Sequence, residues 1–108
     1  MIQVNLPTKR VIDVRPFKAD FGPFLESGET IGSAVVSVSL YTGADPTPEE
    51  ILFLSPEVTG SVVEQRIRAG VPGVIYEVTI KVTTSDAREL TATALQAVIP
   101  DGVPALLS

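Results

Sequence analysis

The run VIYEVTIKV at residues 74–82 sets Val74, Tyr76, Val78, Ile80 and Val82 on one parity and Ile75, Glu77, Thr79 and Lys81 on the other. Successive side chains of a strand point to opposite faces, so this alternation describes a strand with one buried and one wetted face. Residues 33–40 repeat it, with Ala34, Val36, Val38 and Leu40 inward and Ser33, Ser37 and Ser39 outward. Residues 90–99 also read as extended, but their parity slips: Leu90, Ala92 and Ala94 give way to Leu95, Ala97 and Ile99. A β-bulge near Ala94 would produce that slip. The Ala, Leu and Gln of ELTATALQAV suit a helix too, and the interleaved Thr residues and short preceding turn favour the strand.

Weaker patterns mark strands at 11–18, 50–54 and 61–68, separated by the turn signals ESGET, TGADPTP, SPEVTG, AGVPG and TSDAR. Prolines fall almost wholly in these gaps, because Pro has no N–H to donate to a ladder. Pro16 is the exception and assigns the first strand to an edge or a bulge. Short strands at roughly 8–12-residue spacing predict an all-β fold, an antiparallel immunoglobulin-like β-sandwich of about six or seven strands. A small closed barrel is the alternative. Residues 1–8 read as an N-terminal arm, 9–99 as the sandwich and 100–108 (PDGVPALLS) as a C-terminal arm.

Composition narrows the function. A chain of 108 residues supports one core and not two. Its net charge of −5 makes it a poor grip for phosphate backbones, so no nucleic-acid partner is expected. Cysteine and histidine are absent, which removes disulfides, thiolate nucleophiles, the usual zinc ligands and the usual proton carrier near neutral pH. No apolar run approaches the roughly 18–20 residues that span a bilayer, and MIQVNLPTKR lacks the apolar core of a signal peptide. No membrane association is expected.

The side chains that remain are weak catalytic material. Asp45, Glu49 and Glu50 flank prolines and read as solvated turn residues. Glu26 and Glu29 beside Gly28 are too sparse for a calcium loop. No enzyme activity, cofactor or metal is expected. Candidate partner contacts are Arg66 and Arg68 on one strand face, Tyr41 at a strand end, and Pro100, Val103, Pro104, Leu106 and Leu107 in the C-terminal arm. The two arginines fit either a charged guard on a sheet edge or the polar rim of an interface. Tyr76 reads as a core residue whose hydroxyl is tied to nearby backbone.

Several fragments stand in order along the chain: Lys9, Asp20-Phe21, Phe24-Leu25, Gly28-Glu29-Thr30-Ile31, Gly73-Val74-Ile75-Tyr76-Glu77-Val78, then Thr83-Thr84-Ser85-Asp86-Ala87-Arg88 and a last strand. In that order and spacing they resemble small immunoglobulin-like virion proteins of tailed bacteriophages, the phage fiber–tail adaptor proteins. The resemblance spans residues 9–99. Phe21 and Phe24 stand where that pattern usually has Trp, and Ala87 stands where it has Gly. It implies a structural virion protein joining fibers or other appendages to the tail or neck, in multiple copies around a symmetric ring. Its partners would be other virion proteins, and it would be assembled in the bacterial host cytoplasm. Capsid decoration and a carbohydrate- or cell-surface-binding module, with Tyr41 as its exposed aromatic, are the alternatives.

One loop resists a simple reading. DFGPFLESGETI carries three large apolar side chains among Gly, Pro and acids. It must cross one end of the sandwich, so Phe21, Phe24, Leu25 and Ile31 are expected to act with Tyr76 as core and lid, Phe24 and Leu25 foremost. Presentation of a binding surface is the rival reading.

Overall fold

The computed structural model describes residues 2–100. Eight strands run in chain order among them: β1 (Ile2–Asn5), β2 (Lys9–Arg10), β3 (Arg15–Asp20), β4 (Ile31–Thr42), β5 (Leu52–Thr59), β6 (Val62–Ile67), β7 (Ile75–Thr84) and β8 (Glu89–Ile99). Short 3-10 turns at Gly22–Phe24 and Pro48–Ile51 interrupt two of the connections. One sheet has the order β1-β8-β7-β4, with β2 also on β8, and the other has the order β3-β6-β5. A three-stranded sheet of second, fifth and fourth strand type facing a sheet of third, sixth and seventh type is the constant-domain immunoglobulin arrangement. Here the first strand is split into β1 and β2 and lies parallel to β8.

The inward rows follow the parity of the strands. Val78, Ile80 and Val82 of β7 are fully buried, as are Ala92 and Ala94 of β8 and Val63 and Ile67 of β6. Phe17 and Ala19 of β3 complete that wall from the smaller sheet. Pro16 sits on β3, an edge strand, where its missing N–H costs no ladder bond.

Four expectations need correction. Residues 1–8 were expected to lie outside the sandwich, but β1 adds to the sheet edge beside β8, with Pro7 marking the break before β2. The first of the weaker strands begins at Arg15, because residues 11–12 form a turn closed by Asp13 N–H donating to the Arg10 carbonyl. The strand expected at 50–54 instead opens as a 3-10 turn and continues as β5 to Thr59, absorbing Pro56 at an irregularity between Phe53 and Glu57. Finally, β8 has no bulge at Ala94: its pairing with β7 is unbroken from Glu89 to Ala97.

Parity survives in β8 because Gln96, not Leu95, takes the inward position. Its Nε2 donates to the carbonyls of Pro7 (2.7 Å) and Ala97 (3.0 Å), serving the gap between β1 and β2. Buried polar groups elsewhere do the same for other breaks in the ladder. Gln65 donates to the carbonyls of Phe53, Leu54 and Arg66, where β5 loses register. Lys9, fully buried, donates from Nζ to the carbonyls of Arg10 (2.6 Å) and Ala69 (2.5 Å). The lysine that leads the sequence motif is thus a clamp on irregular backbone.

Candidate functional site

Strand registers sort the loops between two ends. Asp20 pairs with Val62, Ile31 with Thr84, and Thr83 with Glu89, so residues 21–30, 60–61 and 85–88 meet at one end. Residues 11–14, 43–51, 68–74 and Pro100 gather at the other.

At the first end Phe21 is the plug, only 1 % exposed, and its N–H donates to the Ser61 carbonyl at 2.9 Å. The chain then tightens into the Gly22–Phe24 turn, with Asp20 Oδ1 accepting from Gly22 N–H (2.8 Å) and Ser61 hydroxyl (2.9 Å). Those two donors, the backbone one first, hold the Asp20 carboxyl below its ordinary range. Phe24 does not fill the lid position expected of it: it is 41 % exposed. The Gly22–Phe24 turn holds no buried residue, whereas Phe21 immediately before it is buried. Leu25 and Ile31 are half-buried.

The rest of the loop is stapled to the last hairpin. Arg88 Nε donates to Glu29 Oε2 at 2.9 Å, Nη2 to Glu29 Oε1 at 2.5 Å, and Nη2 also to the Phe24 carbonyl at 2.8 Å. Thr84 hydroxyl donates to the same carboxylate, and Glu29 Oε1 accepts from Glu26 N–H at 2.8 Å. Arg88 first, then Thr84 and the Glu26 amide, bring the Glu29 carboxyl down to about 2. Ser85 N–H donates to the Thr30 carbonyl, and Ser85 hydroxyl accepts from Thr30 N–H. The fragments GETI and TTSDAR, far apart in sequence, are therefore two halves of one fastening. Ala87 adopts φ 62°, the left-handed turn conformation for which Gly is the usual residue.

At the opposite end Tyr76 is fully buried, and its hydroxyl accepts from Val71 N–H (2.8 Å) and donates to Asp45 Oδ2 (2.6 Å). Burial foremost, then the Asp45 carboxylate, pushes the Tyr76 hydroxyl up to about 12. The same bond, with the Thr47 amide, holds the Asp45 carboxyl low, so Asp45 is a loop anchor rather than a free solvated acid. Gly70 is required here: at φ 100° a Cβ would sit 2.8 Å from Val98 Cγ2. Tyr41 stands 58 % exposed nearby.

On the outer face of the smaller sheet, Arg66 lies in register between Pro16 and Phe53. The Arg68 guanidinium stacks 4.8 Å from the Phe53 ring centre. Arg66 and Glu64 separate two shallow depressions of about 100 and 270 Å³, the first walled by Leu54 and the second by Val14 and Pro16. Pro100 is exposed, while Val103, Pro104, Leu106 and Leu107 lie outside the described residues. Among the described candidate contacts, Tyr41, Arg68 and Pro100 lie toward one end of the sandwich and Arg66 on the outer face of the smaller sheet.

What this arrangement does chemically is fix loops. The strongly shifted groups are each engaged in holding backbone, and no group of three or more potential metal-ligating acids occurs among the described residues. Against known families, the model of the Podophage GP4 fiber-tail adaptor protein gp77 matches residues 9–95. The chain belongs to that family. The span matched by the fiber-tail adaptor model runs from the buried clamp Lys9 through the Glu29–Arg88 staple to mid-β8, and so includes residues that hold the sandwich together here. No curated protein matches the chain.

Membership makes the chain a phage adaptor protein, a virion component. Sequence reasoning missed Glu29 and Arg88 as a pair because only the fold brings them together. It also gave no role to Lys9, Gln65 and Gln96, since polarity argues for exposure even where parity sets Gln65 beside Val63 and Ile67.

Proposed function

We propose that this fiber-tail adaptor joins fibers or other appendages to the tail or neck of the particle by direct protein–protein contacts. It does so in multiple copies set by the symmetry of the particle, assembled in the host cytoplasm. The family match over residues 9–95 carries the reading. The geometry supports it in a specific way. A connector needs separate surfaces whose shape does not change when one partner arrives, and the two loop clusters are anchored independently by Glu29–Arg88 and by Tyr76–Asp45. Phe24 is presented at one end on a loop already fastened, so little conformational freedom is lost on docking. Tyr41 and the start of the C-terminal arm at Pro100 stand at the other.

A sugar-binding role is less well supported, because the exposed aromatics Phe24 and Tyr41 lie at opposite ends and form no shared stacking platform. The test is made on particles. Phage lacking the protein are expected to assemble tails without fibers, and deletion of residues 100–108 is expected to lower incorporation of an otherwise folded chain. Null particles with a normal complement of fibers contradict the role, and unchanged incorporation removes the arm from it.

A further inference from the structure

The sandwich guards three of its four sheet edges. β3 carries Pro16 with Lys18 and Asp20, β5 is broken by the irregularity around Pro56, and the β1/β2 edge is short and interrupted at Pro7. Prolines, charges and breaks of this kind are how soluble sheets avoid pairing with another chain. β4 carries no proline and no charge, and its pairing with β7 is unbroken from Ser33 to Leu40, its two irregularities falling near the strand ends at Ile31/Ser33 and Leu40/Thr42. It is the longest strand, 12 residues, and the sequence from Thr30 to Ala44, TIGSAVVSVSLYTGA, contains no charge and no proline. Among the described residues it pairs only with β7, so every second residue turns its backbone N–H and C=O away from the sheet.

The core is also incompletely covered on this side. Ala34, Val36 and Val38 are only half-buried, although the β7 residues opposite them, Val82, Ile80 and Val78, are fully buried. Val58 of β5, in register with fully buried Val63, is 43 % exposed. What fits beside β4 is a strand with apolar residues inward, small polar residues outward and no charge. β4 itself has that pattern, and it is self-complementary about Val36.

We propose that two copies of this chain pair antiparallel through β4 about a two-fold axis at Val36, continuing one sheet across the dimer. In that register Val36 faces the other copy's Val36 and Ala34 faces Val38 on the inner side. Val35 faces Ser37, and Ser33 faces Ser39, on the outer side. Each residue meets one of the same facing, which a two-fold contact requires. The pairing is a property of the isolated chain and stands or falls independently of the adaptor reading.

The test is sedimentation equilibrium of the purified chain with variants at the exposed outer positions. Wild type is expected to be dimeric at micromolar concentration. Val35→Lys with Ser37→Lys places lysines directly opposite one another and is expected to raise the dimer dissociation constant about tenfold or more, with an unchanged far-UV circular dichroism spectrum. Mixing that variant with Val35→Glu/Ser37→Glu is expected to restore dimers, since each introduced lysine then faces an introduced glutamate of the other copy. As the chain has no cysteine, Val36→Cys with a short bis-maleimide is expected to give a cross-linked dimer. A monomeric wild type overturns the proposal and leaves the edge for a strand of another virion protein. A lysine variant that still dimerises, or charge-swapped copies that do not pair, overturns it too.

Discussion

Replacing Phe21 by Ala is expected to destabilise the sandwich far more than replacing Phe24, although both belong to one loop and one motif. Phe21 is 1 % exposed within the core cluster that contains Phe17, Ala19 and Val63. Losing the transfer free energy of its ring costs about 2–3 kcal/mol. The cavity left behind brings the total to about 3–5 kcal/mol, because neighbours held in strands collapse only partly. At about 4 °C or more per kcal/mol for a domain of this size, the melting temperature falls by at least about 12 °C. Phe24 is 41 % exposed, and its carbonyl remains bonded to Arg88 whatever its side chain. Phe24→Ala should therefore cost no more than about 1 kcal/mol. Urea and thermal unfolding of the two variants beside wild type measure the difference. Equal losses, or a loss at Phe21 below about 1 kcal/mol, would refute the assignment of Phe21 as the plug.

Two further expectations concern the fastening of that loop. Ala87→Gly removes the steric cost of a left-handed residue at φ 62° and should raise stability by about 0.5–1 kcal/mol, read as a higher urea midpoint; no change or a lower one contradicts the turn. The Glu29 carboxyl is depressed in the folded chain, from 4.5 to about 2. Its stabilisation is then complete above about 4.5 and is lost as pH falls toward about 2. Glu29→Gln should flatten the pH dependence of the urea midpoint in that window, and a variant with the wild-type slope would show that other groups govern acid unfolding.

The sequence made the sandwich legible wherever a strand has one wet face. Residues 74–82 lie almost wholly within β7 with the inward row as read, because nothing but side-chain parity decides a strand of that kind. Sequence reading failed at β8 in polarity rather than parity, since Gln96 takes the inward position and donates to the Pro7 carbonyl. No count of apolar residues reveals which backbone groups will lack a ladder partner. It failed again at residues 2–5, where a short strand parallel to β8 depends on pairing across most of the chain.

Motif order was more informative than chemistry in the loops. The fragments GETI and TTSDAR pointed to a family before their connection was visible, and the Glu29–Arg88 pair then supplied the physical reason they occur together. The division of labour between Phe21 and Phe24 was not legible. Both are aromatic residues in a loop, and only the turn at Gly22–Phe24 decides which one faces the core.

The central claim is that one chain holds two different virion proteins at once. The most direct measurement mixes purified adaptor, fiber protein and tail protein and determines the mass of the complexes formed. The account predicts a ternary complex that disappears when the adaptor is omitted. Binary complexes that compete for the adaptor, or a fiber–tail complex that forms equally well without it, would contradict the account.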